Sequence, residues 1–294
     1  MARRRRRTLA QAALALLLGA CRGAPSSSPA PAVSAEQLGQ RESASAVATP
    51  VPSVAPSAAR PSSPAPPPEV ASDFVTLAVP GFRDAVVSVP RDMRAPQRLA
   101  LALHGNFDRP EWQCEVWRRI TRAGVWVLCP RGIPRRDVPA SYDRWEWGSI
   151  AQTKRELVAA IQALRDRYPE KVQSGPLVFT GFSLGAILGA RLIQDRELGF
   201  GAAVLVEGGY QGWTVAKAKS LVPGLRALLF GCGQSECRNA YRYQLGSLFE
   251  KAGVPVTMVA DVKAGHTYDD PVAALIAAEW PALLAKLDGP APVP

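Results

Sequence analysis

Gly181-Phe182-Ser183-Leu184-Gly185 sets a serine between two glycines, directly after the apolar run at residues 176–180. A hydroxyl at such a point can attack an acyl carbon if the chain turns sharply enough to lift it clear of a strand end. Glycine on both sides lets neighbouring backbone pass where a Cβ would clash. The residues that follow, 186–193, are compact, apolar and compatible with a helix, so a strand–turn–helix context is expected. A serine is a poor nucleophile unless a base takes its proton and a third group orients that base. The chain has 2 histidines, His104 and His266, and one of them must be that base.

The elements that must position these groups can be read from apolar patterning. Residues 74–79 and 85–89 predict an antiparallel hairpin around Pro80-Gly81. Further strands are expected at 98–103, 125–128, 176–180, 202–206, 226–230 and 254–260. Helices are expected at 111–123, 154–168, after Ser183, at 239–252 and at 271–287; in the second, Leu157, Val158, Ile161 and Leu164 are assigned to one face. Short apolar strands alternating with helices predict a mostly parallel sheet with helices on both faces, the α/β class.

Three motifs, in order along residues 72–288, make this chain resemble the α/β-hydrolase family. They are Leu103-His104-Gly105-Asn106 after the third strand, the turn at Ser183, and Gly265-His266-Thr267 after the last strand. The resemblance implies Ser183 as nucleophile and His266 as base, with His104 supporting the loop. It also implies an oxyanion hole formed by the backbone amides of Leu184 and Asn106. For the acid it points after the seventh strand, where Glu236 is the first choice if Cys232-Gly233 ends that strand; if the strand ends at Gly231, Gln234 falls there instead. Glu207, which closes an apolar strand and would be costly to bury unpaired, is the alternative, with Asp261 and Asp269 behind. Only about 17 residues separate the sixth and seventh strands, so no large cap domain is expected. Trp112, Trp117, Trp145 and Trp147 fall near the expected rim, as an aromatic platform or as packing residues.

The remaining chain speaks to location. Arg3 to Arg7 supply half of the +10 net charge, and what is left is ordinary, with no nucleic-acid-binding motif. That run leads into an apolar segment too short to span a bilayer, ending at Leu18-Gly19-Ala20-Cys21, which resembles a bacterial lipobox. The resemblance implies a signal peptide at 1–20, lipidation of Cys21 and export to the cell envelope. Residue 22 is Arg rather than Asp, which favours an outer-membrane or cell-surface lipoprotein. Residues 22–70 hold 11 of the 27 prolines and no aromatic residue, the composition of a disordered tether, here bounded at 21–71; a tail follows at 289–294. In an oxidising compartment the other cysteines are disulfide candidates, Cys114 with Cys129 and Cys232 with Cys237, although four cysteines permit three pairings. No His/Cys spacing suits a metal, and no cofactor is expected. The expectation is thus an exported serine hydrolase of carboxylic esters. Peptidase, thioesterase and polyester depolymerase are alternatives within the fold, and a non-catalytic envelope lipoprotein is the alternative outside enzymes.

Overall fold

The computed structural model describes residues 72–222 and 224–289. The expected signal peptide, Cys21 and the tether lie outside the described residues, as do residues 290–294. The strands are β1 (Phe74–Leu77), β2 (Ala85–Ser88), β3 (Leu99–Leu103), β4 (Trp126–Cys129), β5 (Ile133–Pro134), β6 (Trp145–Glu146), β7 (Leu177–Phe182), β8 (Phe200–Val206), β9 (Ala227–Cys232) and β10 (Val256–Ala260). The helices are α1 (Pro110–Ile120), α2 (Ile150–Arg167), α3 (Leu184–Leu192), α4 (Val215–Lys219), α5 (Ser235–Ala240), α6 (Gly246–Ala252) and α7 (Val272–Asp288). A π-helical turn at Tyr241–Leu245 joins α5 to α6.

Eight strands form one sheet in the order β1-β2-β4-β3-β7-β8-β9-β10. The first pairings, β1 with β2 and β2 with β4, are antiparallel, and the rest are parallel. Period-two alternation divides the buried strand residues between two layers. Leu101, Leu103, Phe179 and Leu205 pack against α2, α3 and α6 on one face. Ala100, Ala102, Val178 and Val204 pack against α1 and α7 on the other. Both faces are covered, which is why the central strands read as unbroken apolar runs.

The structure differs from expectation in several places. Val158 is 50% exposed while Leu157, Ile161 and Leu164 are buried, because a step of one residue is about 100° around a helix. Helix α2 also starts earlier than expected, since the Ser149 hydroxyl accepts the Gln152 N–H and caps it. The helix expected from 239 begins instead at Ser235. The two-residue strands β5 and β6 were not expected at all, being too short to carry a period. Between β8 and β9 the described residues carry only the short helix α4, as expected for a fold without a large cap. Cys114 in α1 is bonded to Cys129 of β4, and Cys232 of β9 to Cys237 of α5.

Candidate active site

Because β3, β7, β8, β9 and β10 run parallel, their C-terminal ends share one edge, the usual place for a site in an open α/β sheet. That edge collects His104 to Asn106 after β3, Ser183 after β7, Glu207 after β8, Gln234 after β9 and His266 beyond β10.

Ser183 sits between β7 and α3 with φ 50° and ψ −114°, a left-handed conformation that non-glycine residues rarely adopt. The flanking glycines make it sterically possible. A Cβ on Gly181 would lie 2.8 Å from the Gly185 carbonyl, and one on Gly185 would run into the carbonyl of Leu103. The Ser183 N–H donates to Val206 O at 2.9 Å, and its carbonyl accepts the Ile187 N–H at 2.9 Å, so both sides of the turn are held.

His266 Nε2 lies 2.9 Å from Ser183 Oγ. Its Nδ1 lies 3.0 Å from Gln234 Oε1 and 3.6 Å from Glu207 Oε2. Glu207 also has positive φ, 52°, which turns the chain sharply at the end of β8, and its side chain is fully buried. Its Oε1 accepts the backbone N–H groups of Gly233 and Gln234, contacts that offset the cost of burying a carboxylate. Its Oε2 has no hydrogen-bond partner and faces His266 Nδ1.

Glu236, the first choice for the acid, is elsewhere. It stands exposed in the first turn of α5, 3.0 Å from the Ser235 hydroxyl, and makes no contact with His266. A hydrogen bond from its own backbone N–H, then the Ser235 hydroxyl, hold its carboxyl below the usual range. The early start of α5 explains the displacement: Gln234, the last residue before the helix, faces His266, and the first helical turn carries Glu236 away. Asp261 accepts the Lys263 N–H, and Asp269 pairs with Arg119.

His104 is buried behind the site, its ring nitrogens 2.7 Å from Gly105 O and 2.9 Å from Arg131 O. Burial lowers its pKa, opposed by those two carbonyls. The loop it underlies is next to Ser183: a Cβ on Gly105 would be 3.4 Å from Ser183 Cβ. The amides of Leu184 and Asn106 donate to nothing among the described residues, leaving both N–H groups unspent. Asp108, which sequence reasoning missed, braces this loop. Its carboxylate accepts the Gly105 N–H at 3.2 Å, the Arg109 N–H at 2.8 Å and the Tyr268 hydroxyl at 3.2 Å. Burial first, and then the Asp108 charge, raise the Tyr268 pKa, so its phenol remains a donor. Glu156 supports the same region from α2 by accepting the Gly132 N–H at 2.9 Å; burial pushes its carboxyl pKa up.

The tryptophans mostly pack. Trp117, Trp145 and Trp147 are buried, and Trp147 stacks on His104 at 4.6 Å while donating to His104 O at 2.8 Å. Only Trp112 of the four is exposed, so a four-residue platform does not form. Among the described residues no group of three or more His, Cys, Asp or Glu could hold a metal ion.

A sheet of this order with a serine on its central turn and a histidine beyond its last strand defines the architecture: the chain has the α/β-hydrolase fold. It is similar to a carboxylesterase from Bacillus cereus, at 19% identity over 69% of this chain and 95% of that one, with a TM-score of 0.50. It is also similar to a protein assigned as a dienelactone hydrolase from Klebsiella pneumoniae, at 16% identity over 72% and 98% of the two chains, with a TM-score of 0.52. No protein-family model matches the sequence, and no curated protein does.

Proposed function

We propose that the protein is a serine hydrolase of carboxylic esters, in which Ser183 is the nucleophile, His266 the base and Glu207 the acid. The 2.9 Å contact between His266 Nε2 and Ser183 Oγ carries this reading. Ser183 Oγ attacks the acyl carbon while His266 Nε2 takes its proton. The Leu184 and Asn106 amides receive the oxyanion, each worth about 3 kcal/mol in the transition state. The intermediate collapses to an acyl-enzyme, and the departing alcohol takes the proton from His266. Water then repeats the sequence and frees the acid. Glu207 opposes the imidazolium charge, and Gln234 Oε1 holds the Nδ1–H tautomer. The likeness to a carboxylesterase and to a protein assigned as a dienelactone hydrolase supports esters as the substrate class.

The test is hydrolysis of para-nitrophenyl acetate and butyrate by the wild type and Ser183→Ala. Turnover should fall by about 10⁴-fold or more in the variant. Equal hydrolysis by both would contradict the reading. One observation favours a second reading, a non-catalytic envelope protein on the same scaffold: the shorter contact to His266 Nδ1 comes from an amide, not a carboxylate.

The lipobox-like Cys21 supports a lipid-anchored location in the cell envelope. Cells fed labelled palmitate should incorporate it into the wild type and not into Cys21→Ser. Label that survives the substitution would refute the anchor.

A further inference from the structure

The loop after β3, whose Gly105 lies against Ser183, meets the excursion carrying β5 and β6. The Phe107 N–H donates to Trp145 O at 3.0 Å and the Trp145 N–H to Asp108 O at 3.1 Å, so β6 is tied to the residues that follow Asn106. Phe107 has φ 62°, a left-handed conformation unusual for an aromatic residue, and the residue is 43% exposed. Trp112, at the start of α1, is 41% exposed. The Arg144 guanidinium lies over both rings, 5.4 Å from Phe107 and 4.7 Å from Trp112.

Two other arginines share these rings, Arg135 over Phe107 and Arg109 over Trp112. Their charges are met: Arg135 pairs with Asp137 and Glu146, and Arg109 with Asp143 and Glu111. Arg144 pairs with no carboxylate among the described residues. Its sequence neighbour Asp143 is already engaged by Arg109 and by Trp145 Nε1 at 2.8 Å. What holds Arg144 is Nη1, which donates to Tyr142 O at 2.7 Å and Asp143 O at 3.3 Å. Nε and Nη2 donate to nothing among the described residues. A guanidinium fixed by one nitrogen and stacked on two rings, with its Nε/Nη2 edge unused, matches the two oxygens of a carboxylate.

The geometry points to an anion subsite: Arg144, seated on Phe107 and Trp112, receives a carboxylate borne on an apolar or aromatic stem of the substrate. This rests on the hydrolase reading for the ester but not for the binding. Phe107 directly follows Asn106, whose amide is assigned to the oxyanion, so one wall of the subsite belongs to the same loop as that donor.

Calorimetry with the full-length wild-type protein tests it, using benzoate and its neutral isostere benzamide. Benzoate should bind about tenfold tighter or better, Arg144→Gln should erase the difference, and Arg144→Lys should restore only part of it. In turnover, two pairs divide the sides of the ester: para-acetoxybenzoate against phenyl acetate, and para-nitrophenyl hemiglutarate against para-nitrophenyl butyrate. The kcat/KM ratio of anionic to neutral ester should drop about 10- to 100-fold in Arg144→Gln for the pair that sets its carboxylate there. Binding needs no chemistry, so the two readings fail separately. Benzoate selectivity through Arg144 in a protein that hydrolyses nothing keeps the subsite and removes the reaction. Equal binding of benzoate and benzamide by the wild type, or selectivity unchanged in both Arg144 variants, overturns the subsite.

Discussion

Replacing Glu207 with glutamine is expected to lower kcat by about 10³-fold, while Glu236→Gln stays within about twofold of the wild type. The asymmetry follows from geometry. Glu207 is buried with one oxygen 3.6 Å from His266 Nδ1, whereas Glu236 is exposed and bonded to Ser235. In a partly buried setting a unit charge at about 4 Å is worth about 4 kcal/mol at an effective dielectric of 20, and an amide supplies no such charge. The loss should fall short of the roughly 10⁴-fold that follows when an acid's removal also inverts the histidine tautomer. Here Gln234 Oε1 still accepts the Nδ1–H. Gln234→Ala should accordingly cost less than Glu207→Gln, and the double variant more than either. Steady-state kinetics on one ester checks all four. A Glu236→Gln defect as deep as that of Glu207→Gln would overturn the assignment of the acid.

The second large effect is expected at Asp108. Asp108→Ala removes at once the acceptor for the Gly105 N–H, the Arg109 N–H and the Tyr268 hydroxyl. Gly105 precedes Asn106, so the loop that presents the Asn106 amide loses its brace. We expect kcat to fall about 10²-fold with KM little changed, because the oxyanion is met in the transition state rather than in the bound ester. The Gly105 N–H is buried and the other two donors are part-buried, so stability should drop by about 2 kcal/mol as well. Tyr268→Phe, which removes one of the three bonds, should cost about 1 kcal/mol and leave most of the rate. Denaturant melts alongside kinetics separate the two effects. A stability loss with kcat intact would show that Asp108 serves the fold alone.

What could be read from the sequence was whatever is enforced locally. The glycines at 181 and 185 announce the turn at Ser183 because no other residue lets the Gly185 and Leu103 carbonyls approach so closely. The central strands announce themselves as apolar runs because both faces of the sheet are covered. The approach of Glu207 to His266 is enforced by tertiary geometry instead. Glu207 and Gln234 come together only because β8 and β9 are neighbours in register and because Glu207 takes a left-handed backbone, which no local pattern marks. Placing Glu236 depended on where α5 begins, and helix boundaries are the least legible part of a sequence. The excursion with β5 and β6 was invisible for a related reason. Two-residue strands have no periodicity, and Trp145 is defined by its pairing with Asp108 across a long loop. Asp108 likewise gives no signal of its own, since its three donors come from the loop it sits in and from Tyr268 far along the chain.

A nucleophilic Ser183 activated by His266 can be detected without a substrate. A fluorophosphonate probe reacts covalently with such a serine, and mass spectrometry of the digested protein locates the adduct. One adduct per chain is expected, on Ser183, lost in Ser183→Ala and strongly slowed in His266→Ala. An unlabelled wild type, or labelling that persists in Ser183→Ala, would contradict it.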